Sequence, residues 1–165
     1  LLKRTPVFEI ALLDLRDNAL QKASHRISAI APKTNITLYN ADVHAIPSEN
    51  DTFDLVFSRG SQRFWHDQYL AYKELRRVMK PKGIAYIGGG RGSLLFQKQR
   101  AESDDTWNPE HFGRDRQSQH RLPSFSLSDS AYRKLFELWG DRFAIYAHEG
   151  DGRWFCWQKK DNNSA

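Results

Sequence analysis

The sequence predicts an α/β fold, a mostly parallel sheet closed by a C-terminal antiparallel hairpin. Three observations carry this. Short runs rich in strand formers, at residues 7–13, 35–39, 53–58 and 84–87, alternate with stretches of helical period. The third run, Phe-Asp-Leu-Val-Phe-Ser, is apolar enough for burial on both faces, as a central parallel strand requires. Two last runs, 143–147 and 153–157, flank Glu149-Gly150-Asp151-Gly152, a hairpin turn signal.

Taken in order, the first run ends at Asp14. Asp17 or Asn18 can cap the helix that follows, in which Leu20, Ala23 and Ile27 recur at helical spacing. Pro32 ends it. A polar loop over 41–52, containing Pro47, separates the second and third runs. Asp67 can cap the next helix, with Ala71, Leu75, Val78 and Met79 as its apolar stripe, and Lys80-Pro81-Lys82-Gly83 stops it. The fourth run leads into Gly88-Gly89-Gly90-Arg91-Gly92. Residues 97–123 are polar and poor in aliphatics, and read as a lid or insertion within one domain spanning 1–165. Ser128 caps the last helix, whose apolar face carries Tyr132, Leu135, Phe136 and Trp139, with Gly140 just past its end.

Composition bounds the function. Hydrophobic residues make up 39% of the 165, enough for a real core and too many for a disordered tail. No apolar run approaches the ~20 residues of a membrane span, and the first six residues lack the pattern of a signal peptide. A single cysteine, Cys156, excludes an internal disulfide and fits a reducing compartment, so the expected location is the cytoplasm. The formal charge is +5. Much of it lies in Lys73, Arg76, Arg77, Lys80 and Lys82, which read as the solvated face and end of a helix rather than a nucleic-acid footprint. The first residue is leucine and the only methionine is Met79, so we expect a processed product or a piece of a longer reading frame.

In open α/β sheets, ligands sit beyond the carboxyl ends of the strands. Asp14 is at such an end, where an acid can accept hydrogen bonds from both hydroxyls of a ribose; it can equally serve as a helix cap. Asp42 follows the second strand and can accept from an exocyclic amine. Val43 beside it offers apolar surface and a backbone N–H, though the segment also reads as an ordinary polar loop.

Asp14, the segment Asn40-Ala41-Asp42-Val43-His44-Ala45-Ile46-Pro47, the strand Phe53-Asp54-Leu55-Val56-Phe57-Ser58-Arg59 and the turn Met79-Lys80-Pro81-Lys82-Gly83 occur in an order and spacing that resemble the class I S-adenosylmethionine-dependent methyltransferases. The likeness is good over 7–87 and looser over the closing helix and hairpin. Ser58-Arg59-Gly60-Ser61-Gln62-Arg63-Phe64-Trp65 with 86–92 is similar to a little-characterised prokaryotic branch. The resemblance implies a Rossmann-like sheet and S-adenosylmethionine as cofactor. It implies Asp14 with Leu15 at the ribose, Asp42 with Val43 at the adenine, and Ser58, Arg59 and Gly60 beside the methionine moiety. Ser61, Trp65, Gly89 and Arg91 fall on the substrate side, with no catalytic residue assigned.

One family feature is lacking here: the first strand and the Gly-x-Gly-x-Gly loop after it. That strand lies mid-sheet in the family, so its loss should leave two strand edges unpaired and an apolar gap, with room for self-association. The glycines of 88–92 mimic the loop, but no strand ending in an acid follows them, and they read as a turn facing the substrate pocket. His44 reads as a surface histidine, and Phe64 and Trp65 as core or pocket wall. His111, His120 and His148 lack metal-ligand spacing, so no metal is expected. The expected activity is methyl transfer by an intact parent protein to an unidentified acceptor, with a small molecule favoured and this chain itself an inactive piece. The competing reading is a non-catalytic methyltransferase-like module that binds a protein or nucleic acid.

Overall fold

The computed structural model describes residues 9–89, 127–148 and 152–161. Val7 and Phe8, the glycines at 90 and 92, Arg91, the 97–123 insertion and the 149–151 part of the turn lie outside them.

The elements follow the predicted order. Strand β1 (Glu9–Asp14) leads to helix α1 (Asp17–Ile30) and strand β2 (Asn35–Asn40). Strand β3 (Phe53–Arg59), a 3-10 turn (Gln62–Phe64), helix α2 (Gln68–Val78) and strand β4 (Met79–Gly89) come next. Helix α3 (Asp129–Trp139) and strands β5 (Arg142–His148) and β6 (Gly152–Gln158) close the chain. No helix of the described residues is long and apolar enough to cross a membrane.

The strands form two sheets. β1 pairs with β2 in parallel, from Glu9 opposite Asn35 to Asp14 opposite Asn40. The second sheet runs β3-β4-β6-β5, with β3 parallel to β4 and the hairpin strands antiparallel. Among the described residues no strand bridges β1 and β3, so each keeps one unpaired edge. This is the break expected where a mid-sheet strand is lacking.

One face of the larger sheet is packed. Ala85 and Ile87 of β4 and Phe155 and Trp157 of β6 meet Ala71, Tyr72, Leu75 and Val78 of α2 and Tyr132, Leu135 and Phe136 of α3. The rings interlock: Tyr72 lies edge-on to Tyr132 and Phe136, at 5.4 and 5.8 Å between centroids. Such offset and edge contacts add to the area buried. The opposite face is open. Leu55 and Phe57 are 47% and 61% exposed, so β3 is not buried on both faces as its composition suggested. Composition reports what a strand can bury; here no described helix covers that face. Phe57, Tyr86 and Trp154 instead stack across it, Tyr86 and Trp154 at 4.6 Å.

Three local readings need correction. Arg16, not Asp17 or Asn18, is the N-cap of α1, because the Asp14 carboxylate takes the Arg16 N–H and turns the chain one residue earlier. Helix α2 ends at Val78; Met79 already belongs to β4, as do Lys80, Pro81, Lys82 and Gly83. The basic stretch is only partly a solvated face: Lys73 and Lys82 are exposed, but Arg76 and Arg77 are half-buried and paired. Arg76 pairs with Asp141, whose carboxylate is fully buried. Arg77 pairs with Glu74 and donates to the carbonyls of Ile46 and Ser48, which ties the loop after β2 onto α2.

Candidate cofactor site

The described sequence-predicted residues fall in three groups, at or just past the carboxyl ends of β1, β2 and β3. The first is at β1. The Asp14 Oδ1 accepts from the Arg16 backbone N–H at 2.9 Å and from its Nε at 3.5 Å. No protein donor to Oδ2 is found among the described residues. Asn40, opposite Asp14 in the register, donates from Nδ2 to the carbonyls of Asp14 and Leu15 at 3.1 and 2.9 Å. It thereby pins the end of β1 to the end of β2. Leu15 is 68% exposed.

The second acid lies two residues past β2. The Asp42 Oδ1 accepts from the His44 backbone N–H at 3.0 Å and from His44 Nδ1. These bonds, the backbone one first, hold the Asp42 carboxyl below the usual carboxylate range, against a smaller opposing effect of burial. Val43 is buried and packs into the same core cluster as Trp65 and Ile46. Its side chain is therefore committed to the interior.

β3 supplies the third predicted group. Ser58 and Ser61 hydroxyls lie 2.5 Å apart. Gly60 has φ of +86°, and its N–H donates to the Gly88 carbonyl at 2.6 Å. A Cβ on Gly89 would stand 2.9 Å from the Gly60 nitrogen, and one on Gly88 only 2.3 Å from the Arg153 carbonyl oxygen. Glycine at 88 and 89 thus permits close strand approach inside β4. These two are strand residues, not the turn expected from the sequence.

Trp65 is buried, edge-on to Tyr72 at 5.8 Å. It belongs to the main hydrophobic core. His44 is not a surface residue: its side chain is 9% exposed. Its ring is enclosed because the loop after β2 folds back onto the start of α2.

Sequence reasoning missed a buried polar network below the 3-10 turn. Gln62 Nε2 donates to the Tyr72 and Tyr132 hydroxyls at 2.6 and 2.7 Å. The Tyr132 hydroxyl donates to Gln68 Oε1, and Gln68 Nε2 donates to the Gln62 and Trp65 carbonyls. Burial pushes both phenols above their usual value, Tyr72 strongly. They serve as fixed hydrogen-bonding groups, not as bases. The only clue in the sequence was two glutamines beside aromatic core positions.

With the geometry in view, comparison with known proteins is decisive. The profile of the family described as "Methyltransferase domain" matches residues 1–87. The chain belongs to the methyltransferase domain family. Its Rossmann-like fold agrees with the solved structures it resembles. A candidate S-adenosyl-L-methionine-dependent methyltransferase from Methanococcus maripaludis superposes with a TM-score of 0.65 at 28% identity, over 94% of this chain and 69% of that one. A SAM-dependent methyltransferase from Aquifex aeolicus shares the fold, with a TM-score of 0.56 at 15% identity, over 91% of this chain and 68% of that one.

Among curated relatives, the chloroplastic 2-methyl-6-phytyl-1,4-hydroquinone methyltransferase 2 of Oryza sativa subsp. japonica is 30% identical over 89 residues, 54% of this chain and 24% of that protein. The malonyl-[acyl-carrier protein] O-methyltransferase of Halorhodospira halophila is 34% identical over 83 residues, 50% of this chain and 27% of that protein. The chain spans about a quarter of the length of these relatives.

Proposed function

We propose that this methyltransferase domain holds S-adenosylmethionine by its nucleoside half and serves methyl transfer to a small-molecule acceptor. The observation that carries the reading is the pair of acids at adjacent parallel strand ends. Asp14 has a carboxylate oxygen without a described protein donor, suited to the ribose hydroxyls. Asp42 is held in its charged form, suited to accept from the adenine amine. Leu15 offers exposed apolar surface next to the first acid. Ser58, Arg59 and Gly60 would flank the methionine half, with Ser61, Gly89 and Arg91 toward the acceptor.

When bound, the cofactor supplies an electrophilic methyl on its sulfonium. The chain's own contribution is positioning, which alone can supply several kcal/mol of a barrier. Asn40 fixes the end of β1, and the Gln62–Tyr72–Tyr132–Gln68 network fixes the turn after β3. No strong base is required, since the acceptor's proton can leave to water.

The test is to incubate the protein with cofactor labelled in the methyl group and with separated small-molecule and macromolecular fractions of a cell extract. Label in the small molecules supports the reading. Label only in protein or nucleic acid contradicts the acceptor class. The open sheet face with Leu55, Phe57, Ile84 and Tyr146 favours the second reading, a non-catalytic binding module. That reading predicts no label in any fraction and no affinity for S-adenosylhomocysteine.

A further inference from the structure

Outside the strand ends, His44 is engaged through both of its ring nitrogens. Its Nδ1 faces the Asp42 carboxylate, and its Nε2 accepts from the Asp67 backbone N–H at 3.2 Å. A backbone N–H can only donate, so Nε2 carries the lone pair and the ring proton sits on Nδ1, where it donates to Asp42. Asp67 is the N-cap of α2, its Oδ1 accepting from the Leu70 N–H at 2.9 Å. The ring of His66 lies over that of His44, at 4.0 Å between centroids.

We infer that His44 is the positioning residue of the candidate adenine loop: through one fixed tautomer it orients Asp42 and ties that acid to the start of α2. The inference rests on the reading of Asp42 as a cofactor ligand only for its functional consequence; the latch itself stands on geometry. The carboxylate of Asp42 is 41% exposed, so without the latch its side chain could turn to solvent. The latch sets one oxygen on His44 and leaves the other for a ligand. A rival use of the same atoms exists. Ligand atoms of Asp42, His44 and His66 lie within 4.8 Å of one another, close enough to gather around a metal ion. An ion on Nδ1 would drive the ring proton to Nε2, against the Asp67 N–H. The hydrogen bonds therefore favour the latch.

The experiment has two readouts on the same chain. Nitrogen-15 correlation spectra of the histidine rings should place the His44 proton on Nδ1, with and without added zinc ion. A proton on Nε2, or a joint shift of His44 and His66 with zinc, would overturn the latch. The second readout is affinity for S-adenosylhomocysteine with melting temperature recorded beside it. His44→Ala should weaken binding about tenfold, the scale of one charge-assisted hydrogen bond. His44→Asn keeps a donor near the Nδ1 position and should recover most of the affinity, although it lowers the melting temperature as His44→Ala does. If affinity instead follows melting temperature, with Asn as poor as Ala, His44 is merely structural and the inference fails. If wild type shows no affinity, the cofactor reading fails by itself and the tautomer still decides the latch.

Discussion

The two acids of the site are held by very different parts of the molecule. Asp14 ends a unit of two strands and one helix, in which α1 buries only Leu20 and β1 reaches the main core through the half-buried Leu13. Asp42 belongs to a loop whose Val43 and Ile46 sit in that core, and Arg77 and Glu74 clamp the same loop to α2. Regions with few buried apolar contacts open at low free-energy cost. The ribose end of the site should be compliant and the adenine end stiff. Amide exchange should be fast across β1, α1 and β2 and slow across α2, β4 and β6.

Breaking the stiff side should cost most. Phe136→Ala removes a fully buried ring packed on Tyr72, Phe143 and Trp157, and should lower stability by about 3–5 kcal/mol in denaturant melts. Asp141→Asn leaves the half-buried Arg76 without its bidentate carboxylate partner, which accepts at 2.8 and 3.0 Å. We expect a loss of about 1.5–3 kcal/mol, the range for hydrogen bonds to charged groups.

Glu74→Gln sharpens the comparison, because it loosens the adenine loop alone. Arg77 first, then the Ile46 N–H, hold the Glu74 carboxyl below its usual value, while burial opposes them. A lowered folded-state pKa stabilises above the unfolded value of about 4.3 and ceases to as pH falls through the folded one. The variant should therefore be less stable than wild type by about 1 kcal/mol at neutral pH, and the gap should close as pH drops below about 4. A gap independent of pH would show that the ion pair is not the cause. The smallest effect belongs to Ser128→Ala, which removes the α3 cap accepting the Ala131 N–H at 3.2 Å. About 1 kcal/mol is expected, with no change in the site.

Much of this was legible in the residues themselves. Helical spacing found the three helices of the described residues, and Asp67 and Ser128 announced two of their caps. The strand runs gave the order of the elements along the chain, and unpaired edges on the strands now β1 and β3 were expected. What stayed hidden depends on residues far apart in sequence. Arg76 and Arg77 looked like solvent charges because their partners, Asp141 and the Ile46 and Ser48 carbonyls, are decided by tertiary packing. His44 looked exposed because nothing local shows that its loop folds against Asp67. Asp14 and Asp42 were picked out as acids at strand ends, a rule that needs only strand boundaries; the Asn40 strut between the two strands needed the register.

The central claim is that Asp14 and Asp42 form the nucleoside end of an S-adenosylmethionine site. Its most direct test is a calorimetric titration of this chain and its Asp14→Ala and Asp42→Ala variants with S-adenosylhomocysteine. The account predicts saturable binding by the wild type, weakened about tenfold or more by each variant. Absence of binding, or variants that bind as well as wild type, would contradict it.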